Sequence, residues 1–348
     1  MVNLYDLDEP ALAALLRDWG QPAFRARQIR AWLYDRGVAS FGEMTDLPRA
    51  LRERLEAETT LGDLTLEEEQ RSKDGTIKRV YRLHDGQLVE SVLMVYEDGR
   101  RTACISSQAG CAMGCVFCAT GQMGFARQLT GNEILAQAMI FDRELKARGE
   151  RLSNVVLMGM GEPFHNYDAV LWAIRKMNQD VGIGARHITV STVGLVPQIR
   201  QFAEEGLQVK LAISLHAATD AERSALLPIN KRWPLADLLE ACRYYAEKTG
   251  RRVSFEWALI AGRTDLPEQG DRLGRLLSGI DAHVNVIPLN PTAGYDGAPA
   301  DPSRVEAFLA ALAHHGVPGT IRVRRGIDID AGCGQLKSRV ERRRAAAT

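Results

Sequence analysis

Cys111-Ala112-Met113-Gly114-Cys115-Val116-Phe117-Cys118 places three thiols in one short loop, at Cys-x3-Cys-x2-Cys spacing. Thiolates are soft ligands that select zinc, copper(I) or iron-sulfur clusters, and a cubane cluster ordinarily takes four of them. Three cysteines leave one iron with an open position, by the logic that marks a catalytic rather than a structural zinc site. Gly110 and Gly114 let the backbone wrap closely around a negatively charged cluster and turn N–H groups toward it, and Phe117 can shield it from water. A structural zinc site completed by Cys104 or a histidine is the competing reading. Such sites pair their ligands in two separated halves, and no second half lies nearby.

The loop and its flanks resemble the cluster loop of the radical S-adenosylmethionine (SAM) superfamily. That resemblance implies a 4Fe-4S cluster on Cys111, Cys115 and Cys118 whose open iron chelates SAM. An electron from the cluster then cleaves SAM to a 5′-deoxyadenosyl radical, and the protein supplies position.

Working outward, 348 residues suffice for one large domain and a smaller accessory one. A hydrophobic content of 45% and a charged content of 25% are those of a globular protein. No run of about 18 apolar residues occurs, and the N-terminus, with Asp6, Asp8 and Glu9, lacks the basic flank and apolar core of a signal peptide. A cytoplasmic protein without a membrane partner is expected. Six cysteines in a reducing compartment fit a metal or redox site better than a disulfide framework. The formal net charge is zero, so any RNA contact must come from local patches.

Residues 1–60 read as a helical accessory domain. Asp8 caps a helix with Pro10 in its first turn, which buries Leu12, Leu15, Leu16 and Trp19 and stops at Gly20. A second helix runs from Pro22 to Gly37 with Arg25, Arg27, Arg30 and Arg36 outward, and a third from Pro48 to Glu58. Residues 61–100 read as a β-meander extension. Its turns are Asp74-Gly75, Asp85-Gly86 and Asp98-Gly99, and its strands are Thr76 to Leu83, Leu88 to Tyr96 and Arg101 to Ser107. Arg71, Lys73, Lys78, Arg79, Arg82, Arg100 and Arg101 make this extension the better candidate RNA-facing surface. Residues 101–348 form the core domain, in which Thr130 and Glu133 open a helix through a capping box. Apolar runs recur at Asn154 to Met158, Ile188 to Ser191, Val209 to Leu215, Val253 to Ile260 and Val284 to Leu289. With the strand before the cysteines they make six β–α units, an α/β fold whose parallel sheet forms a partial (β/α)6 barrel. Ligands in such barrels sit at the C-terminal strand ends.

The polar oddities of the chain fall at those ends. Gly161 and Glu162 lie in Gly159-Met160-Gly161-Glu162-Pro163, which resembles the SAM-contacting GGEP-type motif, with Glu162 able to accept from the SAM amino group. Ser191, then Ser214-Leu215-His216, then Asn290 follow later strands. Near the C-terminus Cys333 stands between glycines, and Cys104 lies seven residues before Cys111; neither fits the cluster spacing. Cys242 falls in a helical pattern among apolar residues and reads as structural.

Most of the chain resembles the RlmN family of radical-SAM RNA adenine methyltransferases. The matching stretches are RTACISSQAGCAMGCVFCATGQMGF, LMGMGEP, ITVSTVGLVP, LAISLHAATDAERSALLPINKRWP, IPLNP and RRGIDIDAGCGQL. Phe164-His165 and Val193 depart from the family pattern, an aliphatic pair and a serine. The resemblance implies that Gly161, Glu162, Ser191, Ser214, Leu215, His216 and Asn290 contact SAM. It implies that Cys333 is methylated by one SAM and that a second supplies the radical that takes hydrogen from this methyl. The methylene adds to adenine carbon 2, Glu90 accepts the ring proton, and Cys104 resolves the protein-RNA link by a disulfide with Cys333. The implied substrates are an adenine of the 23S rRNA peptidyl-transferase centre and the tRNA adenosine just 3′ of the anticodon. An electron donor such as flavodoxin or ferredoxin completes the partners, and the protein is expected to be a monomer. Two other readings remain open: the sister activity that methylates carbon 8 of the rRNA adenine and confers antibiotic resistance, and a non-catalytic iron-sulfur RNA-binding or redox-sensing protein.

Overall fold

The computed structural model describes residues 1–345 except 63, 293, 324, 330, 331 and 333, with backbone only for 342–345. A ten-stranded sheet runs through the molecule: β1 Thr65–Arg71, β2 Ile77–Arg82, β3 Leu88–Val95, β4 Arg101–Cys104, β5 Asn154–Leu157, β6 Ile188–Thr192, β7 Lys210–Ser214, β8 Val253–Leu259, β9 Ala282–Pro288 and β10 Gly319–Ile321. Every strand lies beside its neighbours in the chain, from β1 at one edge to β10 at the other. The first four pair antiparallel, and β4 to β10 are parallel, with helices between successive strands. The edges do not meet, so the sheet is an open partial barrel extended by a meander.

The parallel part reads as it does because its strands are short apolar runs. Val155, Leu157, Val190, Leu211, Ile213, Phe255, Val284 and Val286 are all buried to within 1%. At about 1.5–3 kcal/mol for each large apolar side chain, this layer dominates the fold. The capping box is present: Thr130 Oγ1 accepts from the Glu133 N–H and Glu133 Oε2 accepts from the Thr130 N–H at 2.9 Å, opening the helix Gly131–Lys146. Cys242 is fully buried in the helix Leu235–Thr249.

Two strands of this sheet escaped the reading of the sequence. β1 has the composition Thr-Leu-Glu-Glu-Glu-Gln-Arg and no apolar alternation. Ion pairs Arg79–Glu69 and Arg82–Glu67 hold it to β2. β10 is only three residues long and pairs with β9 as a seventh parallel strand.

The meander corrects the expected RNA surface. Lys78 and Arg79 are 0% and 3% exposed and point into the protein, Lys78 to Glu90 and Arg79 to Glu69 and Glu144. Arg71, Arg82, Arg100 and Arg101 are each held by an acidic neighbour. Buried Lys78 and Arg79 offer no surface to phosphate, whereas Lys73, Arg71 and Arg100 remain exposed, the last two in surface pairs that contribute little.

At the N-terminus, Asp8 caps the helix Glu9–Asp18 by accepting from the Ala11 N–H at 2.8 Å. Leu12 and Leu16 are fully buried, whereas Leu15 and Trp19 are only half-buried. Helices Phe24–Arg30, continuing as a wider turn to Arg36, and Arg49–Glu58 complete the module. Arg30 faces inward to the barrel rather than to phosphate, pairing with Asp180 at 2.6 Å. After β10 the chain crosses back to the meander. Gly326 N–H donates to Asp74 at 3.0 Å, and the helix Gln335–Ala345 seats Leu336 and Val340 on Val80 and Leu88.

Candidate active site

The cluster loop leaves β4 through a short hairpin of Gln108–Gly110 with Phe125–Gln128. Gly110 has φ +86°, and a Cβ there would stand 2.1 Å from the Gly124 carbonyl. Only glycine lets these two backbones approach. The approach is sealed by Cys111 N–H donating to the Gly124 carbonyl at 2.7 Å. Burial pushes the Cys111 thiol up to about 12, with Glu162 and Cys118 raising it further; Cys115 is raised well above its ordinary value by burial and then by the other two thiols. Thiols so placed are neutral alone and ionise only against a cationic centre.

The three cysteines line one cavity of about 300 Å³ at the C-terminal ends of the strands. Three thiols on one cavity wall match a cluster that takes three protein ligands and leaves one iron open.

Gly161, Glu162, Ser191, Ser214, His216 and Asn290 line the same cavity; Leu215 is fully buried and does not. Glu162 accepts from the N–H groups of Phe164 at 3.0 Å and Val193 at 2.8 Å, and burial lifts its carboxyl to about 7. These bonds explain the two departures from the family pattern. Val193 serves through its backbone, and Phe164 fills the core against Phe202. His216 sits at φ +60°, and its Nδ1 accepts from the Ala258 N–H at 2.9 Å. This bond places the ring proton on Nε2, and burial, aided by Arg223, lowers the pKa to about 3. Phe117 packs edge-on against that ring at 5.0 Å.

A second cavity, of about 400 Å³, abuts the first; Met158, Gly159, Asn290, Arg322, Gly332 and Gln335 line both. It holds Cys104, the last residue of β4, and Glu90 of β3. Burial raises the Cys104 thiol, and Arg322 opposes that rise. Glu90 is 2% exposed and accepts from the N–H groups of Gly334 and Lys337, both at 2.6 Å. Cys333 lies outside the described residues, but its neighbour Gly332 is on the wall shared by the two cavities.

Three charged residues of the site went unread in the sequence. Arg223 is fully buried and donates to the carbonyls of Val193 (2.6 Å), Ser214 and Leu215 (3.2 Å each), tying the ends of β6 and β7 together. Arg322 follows β10 and reaches both cavities. Glu256, mid-strand in β8, takes a bond from Asn285 at 2.8 Å on one oxygen and has no partner on the other among the described residues. Glu256 was a lone charge in an apolar pattern whose partner Asn285 shows only in the sheet register, whereas Arg223 and Arg322 stood among other charges in the sequence.

Known proteins match this arrangement. The ribosomal RNA large subunit methyltransferase N-terminal domain matches residues 2–61, and the Radical SAM superfamily matches residues 105–268. The chain is 56% identical over 344 residues to the dual-specificity RNA methyltransferase RlmN 1 of Myxococcus xanthus (strain DK1622), across 98% of this chain and 96% of that protein. It is 49% identical to the dual-specificity RNA methyltransferase RlmN of Anaeromyxobacter dehalogenans (strain 2CP-C), across 99% and 95%. The crystal structure of a radical SAM methyltransferase from Sphaerobacter thermophilus superposes with a TM-score of 0.92 at 46% identity, covering 96% of this chain and 99% of that one.

Proposed function

Because the chain belongs to the RlmN family of radical SAM, dual-specificity RNA methyltransferases, we propose that its two abutting cavities divide one reaction between them, methylation of adenine carbon 2. The protein is a radical SAM RNA adenine methyltransferase that uses a 4Fe-4S cluster and SAM. The cavity of the three cysteines fits the cluster. Its three half-buried thiols line one wall, and those of Cys111 and Cys115 would ionise against a cationic centre. Cys111, Cys115 and Cys118 would hold the cluster, and Gly161, Glu162, Ser191, Ser214, His216 and Asn290 would surround SAM. Leu215 would serve through its backbone, since its side chain is in the core. When bound, cluster and SAM supply methyl groups and a carbon-centred radical, which an adenine carbon that is not nucleophilic requires.

The second cavity takes the base. Its residues supply the polar steps: Glu90 accepts the ring proton as the radical adduct gives up its odd electron, which would return to the cluster, and the Cys104 thiolate then attacks the sulfur of the Cys333–CH2–adenine link. That attack forms the Cys104–Cys333 disulfide and breaks the sulfur–carbon bond, whose electron pair stays on carbon and is protonated to the new methyl. The observation that carries this assignment is the shared wall: Gly332, next to Cys333, borders both the cysteine cavity and the cavity of Cys104 and Glu90. The substrates of this reading are 23S rRNA and tRNA, whose target base must leave its stack to enter. It places a monomer in the cytoplasm, fed electrons by flavodoxin or ferredoxin.

The test is mass spectrometry of the cluster-loaded protein after incubation with SAM and RNA. A methyl on Cys333 together with 2-methyladenosine is expected. An 8-methyladenosine product would move the assignment to the sister activity. No methyl on Cys333 with the cluster intact would overturn the thiol relay, and full activity of Cys333→Ala would favour a non-catalytic role. Cys104→Ala should keep SAM cleavage and accumulate a protein-RNA adduct on denaturing gels.

A further inference from the structure

Four side chains share one face of the meander beneath the C-terminal helix. Lys78 and Val80 are two apart on β2, Leu88 and Glu90 two apart on β3, and Val80 pairs with Glu90 across the strands. Val80 and Leu88 carry the apolar contact with Leu336 and Val340. Lys78 and Glu90, 0% and 2% exposed, carry the polar one. Lys78 Nζ donates to the Gly332 carbonyl at 2.6 Å and pairs with Glu90 Oε2 at 3.2 Å. The same Oε2 accepts from Gly334 N–H, and Oε1 from Lys337 N–H. Gly332 and Gly334 flank residue 333, so one buried ion pair grips the backbone on both sides of the cysteine.

We propose that Lys78 is a positioning residue which, with Glu90, clamps the segment carrying Cys333, and that the proton Glu90 takes up during the reaction opens this clamp. The clamp draws on the negative charge of Glu90. A neutral Glu90 offers one full acceptor where it held two N–H groups, and it takes away the carboxylate charge that Lys78 pairs with. Breaking a buried pair by removing one partner is far more costly than losing an exposed one. The segment is therefore tight while Glu90 is a carboxylate and loosens once the ring proton has arrived, when Cys333 must pass from adenine to Cys104. This opening step rests on the assignment of Glu90 as base; the clamp itself does not.

The experiment is hydrogen exchange of the cluster-loaded protein without RNA, followed by mass spectrometry of peptides spanning 332–340, with the β8 peptide 253–259 as control. Glu90→Gln, a neutral isostere, and Lys78→Met should each raise exchange at 334–337 about tenfold or more and leave β8 unchanged. Lys78→Arg, which keeps the charge, should restore protection in part. Unchanged exchange in Glu90→Gln would overturn the clamp. So would equal loosening in Lys78→Arg and Lys78→Met, which would mark Lys78 as mere packing. A single turnover with RNA separates the two ideas. Loosened exchange with normal product release in Glu90→Gln would sink the base and the opening step but keep the clamp, whereas a trapped adduct with unchanged exchange would keep the base and sink the clamp together with its opening step.

Discussion

Glu256 holds an acceptor with no partner among the described residues in the wall of the cysteine cavity, 3% exposed and raised in pKa by burial against the opposing pull of Arg322. A buried acceptor without a partner is costly unless a ligand fills it. Glu256→Gln is expected to weaken S-adenosylhomocysteine binding about tenfold in equilibrium dialysis while the iron content stays unchanged. His216 carries a pH dependence of known sign. Its folded pKa is about 3 against 6.5 in the open chain, so only the unfolded chain takes the proton as pH falls. The stability it confers is complete above 6.5 and lost progressively toward 3, by about 1.4 kcal/mol at pH 5.5. Urea unfolding at pH 7.5 and 5.5 should show that loss in the wild type and not in His216→Gln. The cysteines were legible because their spacing is itself the signal. Glu256, Arg223 and Arg322 were not, because a single buried charge looks the same in sequence whether it is paired, capping or waiting for a ligand.

At the scale of elements, the cluster loop depends on the hairpin that frames it. Gly110→Ala sets a Cβ against the Gly124 carbonyl at a positive φ, and neither backbone can yield without opening the loop. The variant should fold, with its parallel strands intact by circular dichroism, yet lose most of its iron on reconstitution. Capping residues and apolar runs announced the helices and strands of the barrel because each carries its own local signal. β1 announced nothing, since its three glutamates take strand form only against Arg79 and Arg82 of β2. Burial narrowed the expected RNA surface as well: Lys78 and Arg79, counted as surface cations along the sequence, point into the protein.

Across the whole molecule, one continuous apolar core joins Leu12, Leu33 and Leu55 of the helical module to Val155 and Phe255 of the barrel. Arg30–Asp180 and the bond from Lys146 to the Tyr34 carbonyl at 2.6 Å reinforce that seam. The module should therefore melt with the barrel, as a single calorimetric transition without an early phase. The strand order has a further consequence, for the growing chain. Since each strand of the ten-stranded sheet pairs with the sheet strand made before it, the sheet can assemble vectorially as it leaves the ribosome, each parallel pair closing over one crossover. The return of residues 326–340 to β2 and β3 is the exception, closing a loop of some 250 residues. A chain stopped short of that return would have its barrel strands and its cluster loop but would lack Cys333, Gly334 and Lys337 altogether, leaving Glu90 without the two N–H groups it accepts from.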